Sequence, residues 1–369
     1  MGYVAVKGGS DAIAASLAAV ERKRLERGLT LDLARIQAGL RPLLDQVMSE
    51  ASLVDEQAAA LAVKQAQGSP EEAVFFLRAH RSTLPRLHTT ATLDTASMLL
   101  ERRISATFKD VPGGQILGAS VDYLHRLLRF ELMNETDADA AHAAASILPT
   151  EAAPSPADLT APRVSDVLRR EGLLPDVPPD PTEPADVTTM SLSIPAPRSA
   201  RLQVLTRGQT GTVTSLGYAS LRGYGPMLHP TVGELRVGWL PVEVADPMAD
   251  SDDEDERYHV GHVQATEVET FVPVHETSAD GQDRLRFDIG YGFCFGQNET
   301  KAIAMSLLDR TLETPGAAAV HDEEFVLLHV DSVESSGFIS HLKLPHYVTF
   351  QSELQAVRDT QREREGDAS

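Results

Sequence analysis

A chain of 369 residues, 42% hydrophobic and 24% charged, has room for two ordinary domains and the composition of a soluble globular protein, not of a disordered or fibrous one. Its formal net charge of −21 sets the surface as a whole against nucleic acid and anionic membranes. No apolar run reaches the roughly 18 residues of a membrane span, and the start MGYVAVKGG lacks the basic and long apolar regions of a signal peptide, so a cytoplasmic protein is expected. Cys294 is the single cysteine, which rules out an internal disulfide and leaves this chain unable to hold an iron–sulfur cluster alone.

The first third reads as helical after a short strand at Tyr3–Val6. Helical spacing recurs over Ala12–Leu25, Leu33–Val47, Glu56–Gln67, Glu71–Leu84 and Tyr123–Leu132, with Ser69-Pro70 opening one helix. Eleven of the 22 prolines then fall between Pro149 and Pro197, among acids and alanines, which predicts a linker or wrapping arm. Val164–Leu174 is an amphipathic piece within it. Beyond it the period changes. Thr212–Ala219, Glu234–Val244, His259–Pro273 and Arg284–Phe295 predict strands, Asn298–Leu312 a helix, Glu324–Val330 a strand and Phe350–Arg364 a charged helix. The expected class is α+β: a mostly helical domain over 1–134, a Pro-rich acidic linker over 135–197, and a mixed α/β domain with antiparallel strands over 198–369.

Charge is unevenly placed. Residues 135–187 carry eleven acids against three arginines, and 246–256 carry seven acids and no base. By contrast, Arg78–Asp110 has six bases against three acids, and Arg198–Arg236 has five against one. Two locally basic stretches can hold an anionic small molecule, or the arginines pair with carboxylates elsewhere. The run Asp250–Glu256 suits a solvated hairpin loop or a cation site.

Within the first basic stretch, Arg102, Arg103 and Lys109 precede Pro112-Gly113-Gly114, where backbone N–H groups can approach an anion with no Cβ in the way. The same run also fits a tight turn, and it is not a Walker A loop. Arg198–Arg201 (RSAR), Arg222–Gly225 (RGYG) before His229, and Tyr291–Gly296 (YGFCFG) are weaker glycine and arginine signals, with Cys294 reading as a buried small hydrophobe. HLKLPH places His341 and His346 on an expected turn or extended segment, since Pro345 biases Leu344 away from helix. Two imidazoles are half of a tetrahedral zinc set, so missing ligands would come from distant residues, substrate or another chain. Asp322, Glu323, Glu324 and Asp331 lie shortly before them, as acid–base groups, as partners of the histidines or as a solvated turn.

In order and wording these motifs resemble one family. YVAVKGG, LAVKQAQG, LERRISATFKDVPGGQILG, DYLHRLLRFEL, RSARLQ, RGYG, GYGFCFG and DEEFVLLHVDSVESSGFISHLKLPHY are similar to the PhnI subunits of the bacterial carbon–phosphorus lyase core complex, across nearly the whole chain. The Pro-rich linker and the Asp250–Glu256 insertion depart from that pattern.

The resemblance implies a cytoplasmic subunit that works with PhnG, PhnH, the radical S-adenosylmethionine subunit PhnJ and associated ATP-binding-cassette subunits, without nucleic acid or membrane. It implies displacement of adenine from ATP by a phosphonate, giving ribose 1-phosphonate 5-triphosphate. It also implies cleavage of purine nucleoside triphosphates by the isolated subunit, and zinc at His341 and His346 shared with PhnJ. The chemistry then calls for cations on the triphosphate, expected at Arg102, Arg103, Lys109 and Arg222 with Gly113 and Gly114, and for an acid, with Asp110, Asp322 and Glu323 the nearest candidates. A scaffold that lends zinc ligands while partner chains do the transfer, and a stand-alone nucleosidase, are the alternatives.

Overall fold

The computed structural model describes residues 9–147, 160–178, 180–222, 230–246, 248, 257–277, 283–344 and 347–366. The expected strand at Tyr3–Val6, the acidic run Asp250–Glu256, Tyr224, Gly225, His229, Pro345 and His346 lie outside the described residues.

Five helices open the chain: α1 (Gly9–Leu25), α2 (Leu33–Gly39), α3 (Arg41–Ala51), α4 (Glu56–Gln65) and α5 (Pro70–Arg81). The single helix expected over 33–47 is two, because Pro42 has no N–H to continue the ladder and instead starts α3, with Leu40 between them at φ −123°. Asp32, Asp55 and Ser69 cap α2, α4 and α5, each accepting a backbone N–H. Ile36, Leu44, Val47, Ala59, Val63, Val74 and Leu77 close a core between α2 and α5. α1 buries no residue.

The four strands form one antiparallel sheet in the order β1 (Leu99–Ile104), β2 (Thr231–Ala245), β3 (Arg257–Thr277), β4 (Asp283–Phe295). β1 lies within the basic run of the first third, and it joins the sheet of the C-terminal half with Leu99 opposite Trp239 and Ile104 opposite Leu235. α6 (Asp137–Ser146), α7 (Val164–Arg170), α8 (Arg198–Arg207) and α9 (Thr210–Leu221) come before β2; α10 (Glu299–Leu312), α11 (Glu323–His329), α12 (Ser332–His341) and α13 (Tyr347–Gly366) follow β4. No described helix is long and apolar enough to cross a membrane.

Strand alternation sorts the sheet into two unlike faces. Leu235, Val237, Val268 and Cys294 pack on Ala302 of α10. Gly290 and Gly292 make that approach possible: a Cβ on either would stand 2.0 Å from the Ser306 carbonyl oxygen or 1.9 Å from that of Ala302. The opposite face carries Glu234, Arg236, Glu267 and Glu269, all buried. Residues from the Pro-rich stretch cover it. Val164, Leu168 and Leu174 pack with Val111 and Phe271, and the Val164 N–H donates to Glu234 Oε2 at 3.1 Å.

Three expected elements differ. Thr212–Ala219 is inside α9, not a strand: Gln209 caps it, and Gly217 lets it press on Ala304 of α10. Contact with α10 outweighs the β-branched composition. Glu324–Val330 is helical for a similar reason, with Asp322 accepting the Phe325 N–H at 3.0 Å and Val326 and Leu327 buried. The helix expected over Tyr123–Leu132 is irregular chain ending in a 3₁₀ turn at Phe130–Asn134. Leu124, Leu127, Leu128 and Phe130 are all exposed there, so no apolar packing among the described residues supports a short helix.

Candidate functional site

Arg103 sits on β1 with its side chain fully enclosed. Its Nε donates to Glu234 Oε1 at 2.6 Å, Nη1 to the carbonyls of Pro112 and Gly114 at 2.8 and 2.7 Å, and Nη2 to that of Pro162 at 2.9 Å. The Pro112-Gly113-Gly114 turn therefore offers carbonyls to a cation of its own chain. Gly113 and Gly114 are needed for the left-handed backbone, at φ +82° and +78°. Arg102 is also buried: Nη1 donates to the Leu117 carbonyl, Nε meets Glu299 at 2.9 Å, and Nη2 pairs with Asp122.

The other sequence candidates scatter. Lys109 and Asp110 are exposed beside the turn. Arg222 is exposed at the end of α9. Asp322 caps α11, while Glu323 accepts the Ala196 N–H at 2.7 Å. His341 closes α12 instead of lying on a turn or extended segment, with Nδ1 against the Phe338 carbonyl and its ring 5.1 Å from the Phe338 ring. Asp331 caps α12 and pairs with Arg78 at 2.6 Å. No group of three or more His, Cys, Asp or Glu among the described residues could hold a metal.

What the fold does assemble is cationic. The two basic stretches of the sequence meet where α5 and α8 end. Arg78 donates to the carbonyls of Glu50 and Arg207 and pairs with Asp331. Arg207 donates to Ser52 Oγ at 2.9 Å. Burial, together with the charges of Arg78 and Arg81, pulls the Arg207 guanidinium down to about 10. Arg81 is lowered for the same reasons, with Arg86 and Arg78 as the crowding cations and Asp186 opposing them. Arg86 pairs with Asp186 at 2.8 Å, while Thr188 and Arg86 hold the Asp186 carboxyl well below its usual range. Among the described residues, these four arginines face two carboxylates, Asp186 and Asp331.

A second buried set lies on the covered face of the sheet. Arg163 reaches Glu267 at 2.7 Å and Glu269 at 3.4 Å, and the Tyr291 hydroxyl donates to Glu267 at 2.9 Å. Burial pushes the Glu269 carboxyl and the Tyr291 hydroxyl up. Sequence reasoning missed both sets. Local charge bias pointed toward the first, but only the packing of α5 and α8 against α3 selects Arg78, Arg81, Arg86 and Arg207 from eleven bases in the two stretches. For the second the local sign is alternation: Glu267 and Glu269 stand two apart in the strand expected over His259–Pro273 and so share one face.

Comparison with known proteins agrees along the whole chain. The family model described as bacterial phosphonate metabolism protein (PhnI) matches residues 2–364. A putative C-P lyase subunit protein, HtxH, of Stutzerimonas stutzeri is 46% identical over 369 residues, covering 98% of this chain and 96% of that protein. Two proteins named alpha-D-ribose 1-methylphosphonate 5-triphosphate synthase subunit PhnI are each 42% identical. The one from Escherichia coli (strain K12) aligns over 98% of this chain and 99% of its own length, and the one from Rhizobium meliloti (strain 1021) over 98% and 96%.

Proposed function

The chain belongs to the PhnI family of bacterial phosphonate metabolism proteins, and on that premise we propose that it is a subunit of a complex that displaces adenine from ATP with a phosphonate. The observation that carries this reading is the end-to-end match to proteins named as synthase subunits for ribose 1-methylphosphonate 5-triphosphate. In the proposed step a phosphonate oxygen bonds to C1′ of the ribose as the C1′–N9 bond breaks. The bonding pair goes to the leaving purine, which takes up a proton. Charge builds on the ribose ring as in glycoside hydrolysis, so the protein's share is to fix the triphosphate, exclude water and supply that proton. The isolated subunit would then act as a purine nucleoside triphosphate nucleosidase, with water in place of the phosphonate. The setting is cytoplasmic, and the partners are PhnG, PhnH and PhnJ with associated ATP-binding-cassette subunits.

Zinc fits the histidine pair in one respect. The His341 Nδ1 faces the Phe338 carbonyl, the backbone contact that commonly fixes a metal-binding imidazole in the tautomer ligating through Nε2. His341 and His346 would hold the ion, with PhnJ completing its shell, and the ion would tie the two chains together. Lys109 and Arg222 are the exposed cations among the sequence candidates for phosphate; Arg102 reaches a phosphate only by exchanging Asp122 for it.

The internal engagement of Arg102, Arg103, Asp322 and Glu323 favours a second reading, a scaffold whose partners perform the transfer. One assay separates them: adenine release from ATP, with and without a phosphonate, by the chain alone, by the partners alone and by the assembled complex. Release that needs this chain supports the synthase reading. Equal release by the partners alone overturns it.

A further inference from the structure

Arg41, the first residue of α3, and Glu56, the first of α4, lie against the end of the sheet, where Trp239 on β2 stands opposite Gln264 on β3. His262 is two residues from Gln264 along β3 and so shares its face. Phe295 closes β4, and its N–H donates to Ser49 Oγ of α3 at 3.2 Å, which ties the sheet to the helices. These six residues line a cleft of about 210 Å³ at the seam between the helical core and the sheet, and such seams are preferred places for ligands. The cleft is smaller than the roughly 300–1,000 Å³ that takes a whole drug-sized molecule. It fits one planar ring system, with the rest of its ligand outside.

Planar groups make up much of its wall. Asp45, Glu56 and Gln264 hold the Arg41 guanidinium in its plane, with Nε 2.8 Å from Asp45 Oδ1 and Nη2 3.2 Å from Gln264 Oε1. The Trp239 indole is held by Glu101, to which Nε1 donates at 2.8 Å. His262 is exposed, its ring 4.7 Å from that of His259. Nucleobases stack on aromatic rings and on guanidinium planes alike. Arg41 is already balanced by Asp45 and Glu56, so the cleft suits an uncharged ring and not a phosphate. Gln264 sets the edge chemistry. Its Oε1 accepts from Arg41 and its Nε2 donates to Glu101 Oε2 at 2.7 Å, which leaves one lone pair and one amide hydrogen without a partner among the described residues. One donor with one acceptor is what a glutamine amide offers to the amino group and N7 of adenine.

We propose that this cleft binds the adenine ring of the nucleotide, stacked on Trp239 and His262 and recognised at its edge by Gln264. The inference rests on the reading that the chain handles ATP, and it gives the base a place of its own, apart from the phosphate contacts. The site lies wholly within this chain, so the base should bind without any partner subunit.

Trp239 is the single tryptophan of the sequence, so the emission of the full chain reports on this wall. Titration with adenosine and with ATP should quench it to saturation, whereas inorganic triphosphate should leave it unchanged. Inosine, which lacks the amino group, should bind more weakly than adenosine. His262→Ala and Gln264→Ala should each weaken adenosine binding about tenfold, the order of one lost stacking or hydrogen-bonding contact. His262→Phe keeps a ring face and should retain most of the affinity; His262 is exposed, so these two changes should leave the melting temperature in place. No quenching by adenosine or ATP overturns the proposal, as does equal quenching by inorganic triphosphate or unchanged affinity in His262→Ala. Adenine release by the assembled complex keeps the two readings apart. An unchanged KM for ATP in complexes carrying His262→Ala and Gln264→Ala removes this site while the synthase reading stands. No release by the unaltered complex removes that reading, and the fluorescence titration still decides whether adenine binds here.

Discussion

Arg103 on β1 and Glu234 on β2 are both sealed from solvent, and Nε of the first meets Oε1 of the second at 2.6 Å. Around that pair the guanidinium spends its other donors on three loop carbonyls, tying the Pro112–Gly114 turn and Pro162 to the sheet edge. Arg103→Ala should therefore cost about 3–5 kcal/mol, because Glu234 is left as an uncompensated buried charge. Arg103→Lys should recover little, since one ammonium cannot serve four acceptors in a planar fork. Urea denaturation of the two variants checks this; a loss under 1 kcal/mol for the alanine change would contradict it.

The glycines of GYGFCFG have a packing task. Gly292→Ala places a methyl group 1.9 Å from a helix carbonyl that cannot rotate away. β4 and α10 must then separate, at a cost of about 1–3 kcal/mol or more. Gly114→Ala serves as the contrast, having space but a left-handed φ of +78°. Melting both should show the larger loss for Gly292→Ala.

Cys294 is wholly enclosed between the sheet and α10, and burial pushes its thiol up to about 11. The thiolate is the reactive form, so the folded chain should resist alkylation at pH 8 and react only as it unfolds. Labelling followed by mass measurement, with and without denaturant, tests this; stoichiometric labelling of folded protein would show that the thiol is accessible.

Asp45 offers a pH signature. Burial raises its carboxyl, outweighing the Gln297 N–H at 3.0 Å and Arg41 at 2.8 Å. An acid raised on folding binds more protons in the native state, so its contribution is full below the unfolded value near 3.8 and falls as pH rises through the folded one. Asp45→Asn lacks that fall. Its stability relative to the parent should improve between pH 4 and pH 7, read by denaturation at each pH. A difference that stays flat would mean Asp45 is not perturbed.

Division of labour within the proposed complex can be tested at the histidines. His341→Ala and His346→Ala should abolish carbon–phosphorus cleavage by the assembled complex while largely retaining adenine release from ATP, measured separately. Loss of adenine release with normal assembly would place the pair in the glycosyl-transfer site.

Much of the architecture was legible in local pattern. The capped helices α4 and α5 and the long strands β2, β3 and β4 have the periodicity and boundary residues that define such elements, and Asn298 announced α10. The misreadings share one cause. α9 and α11 carry composition that also suits a strand, and only the face each presents to α10 or α8 decides. The apolar face over Tyr123–Leu132 reads as helix because it is amphipathic, yet no element among the described residues covers it.

The candidate sites were less legible. ERR before PGG reads locally as cations ahead of an anion-friendly turn. In the fold that turn aims carbonyls inward, and Arg103 is the cation they were built around. Asp322 and Asp331 read as acid–base groups, partners of the histidines or a solvated turn, and in the fold they cap helices.

By itself, the order of residues determined the family, the α+β class, the basic bias of two stretches and the inert character of a cysteine between two phenylalanines. These follow from composition, from period and from motifs that are contiguous in the chain. Tertiary structure alone decided which arginines are spent and which are crowded. Charge acts through space, over distances set by packing, so Arg81 and Arg207, 126 positions apart in the sequence, become neighbours while Arg102 and Arg103, adjacent in the chain, are each neutralised within it.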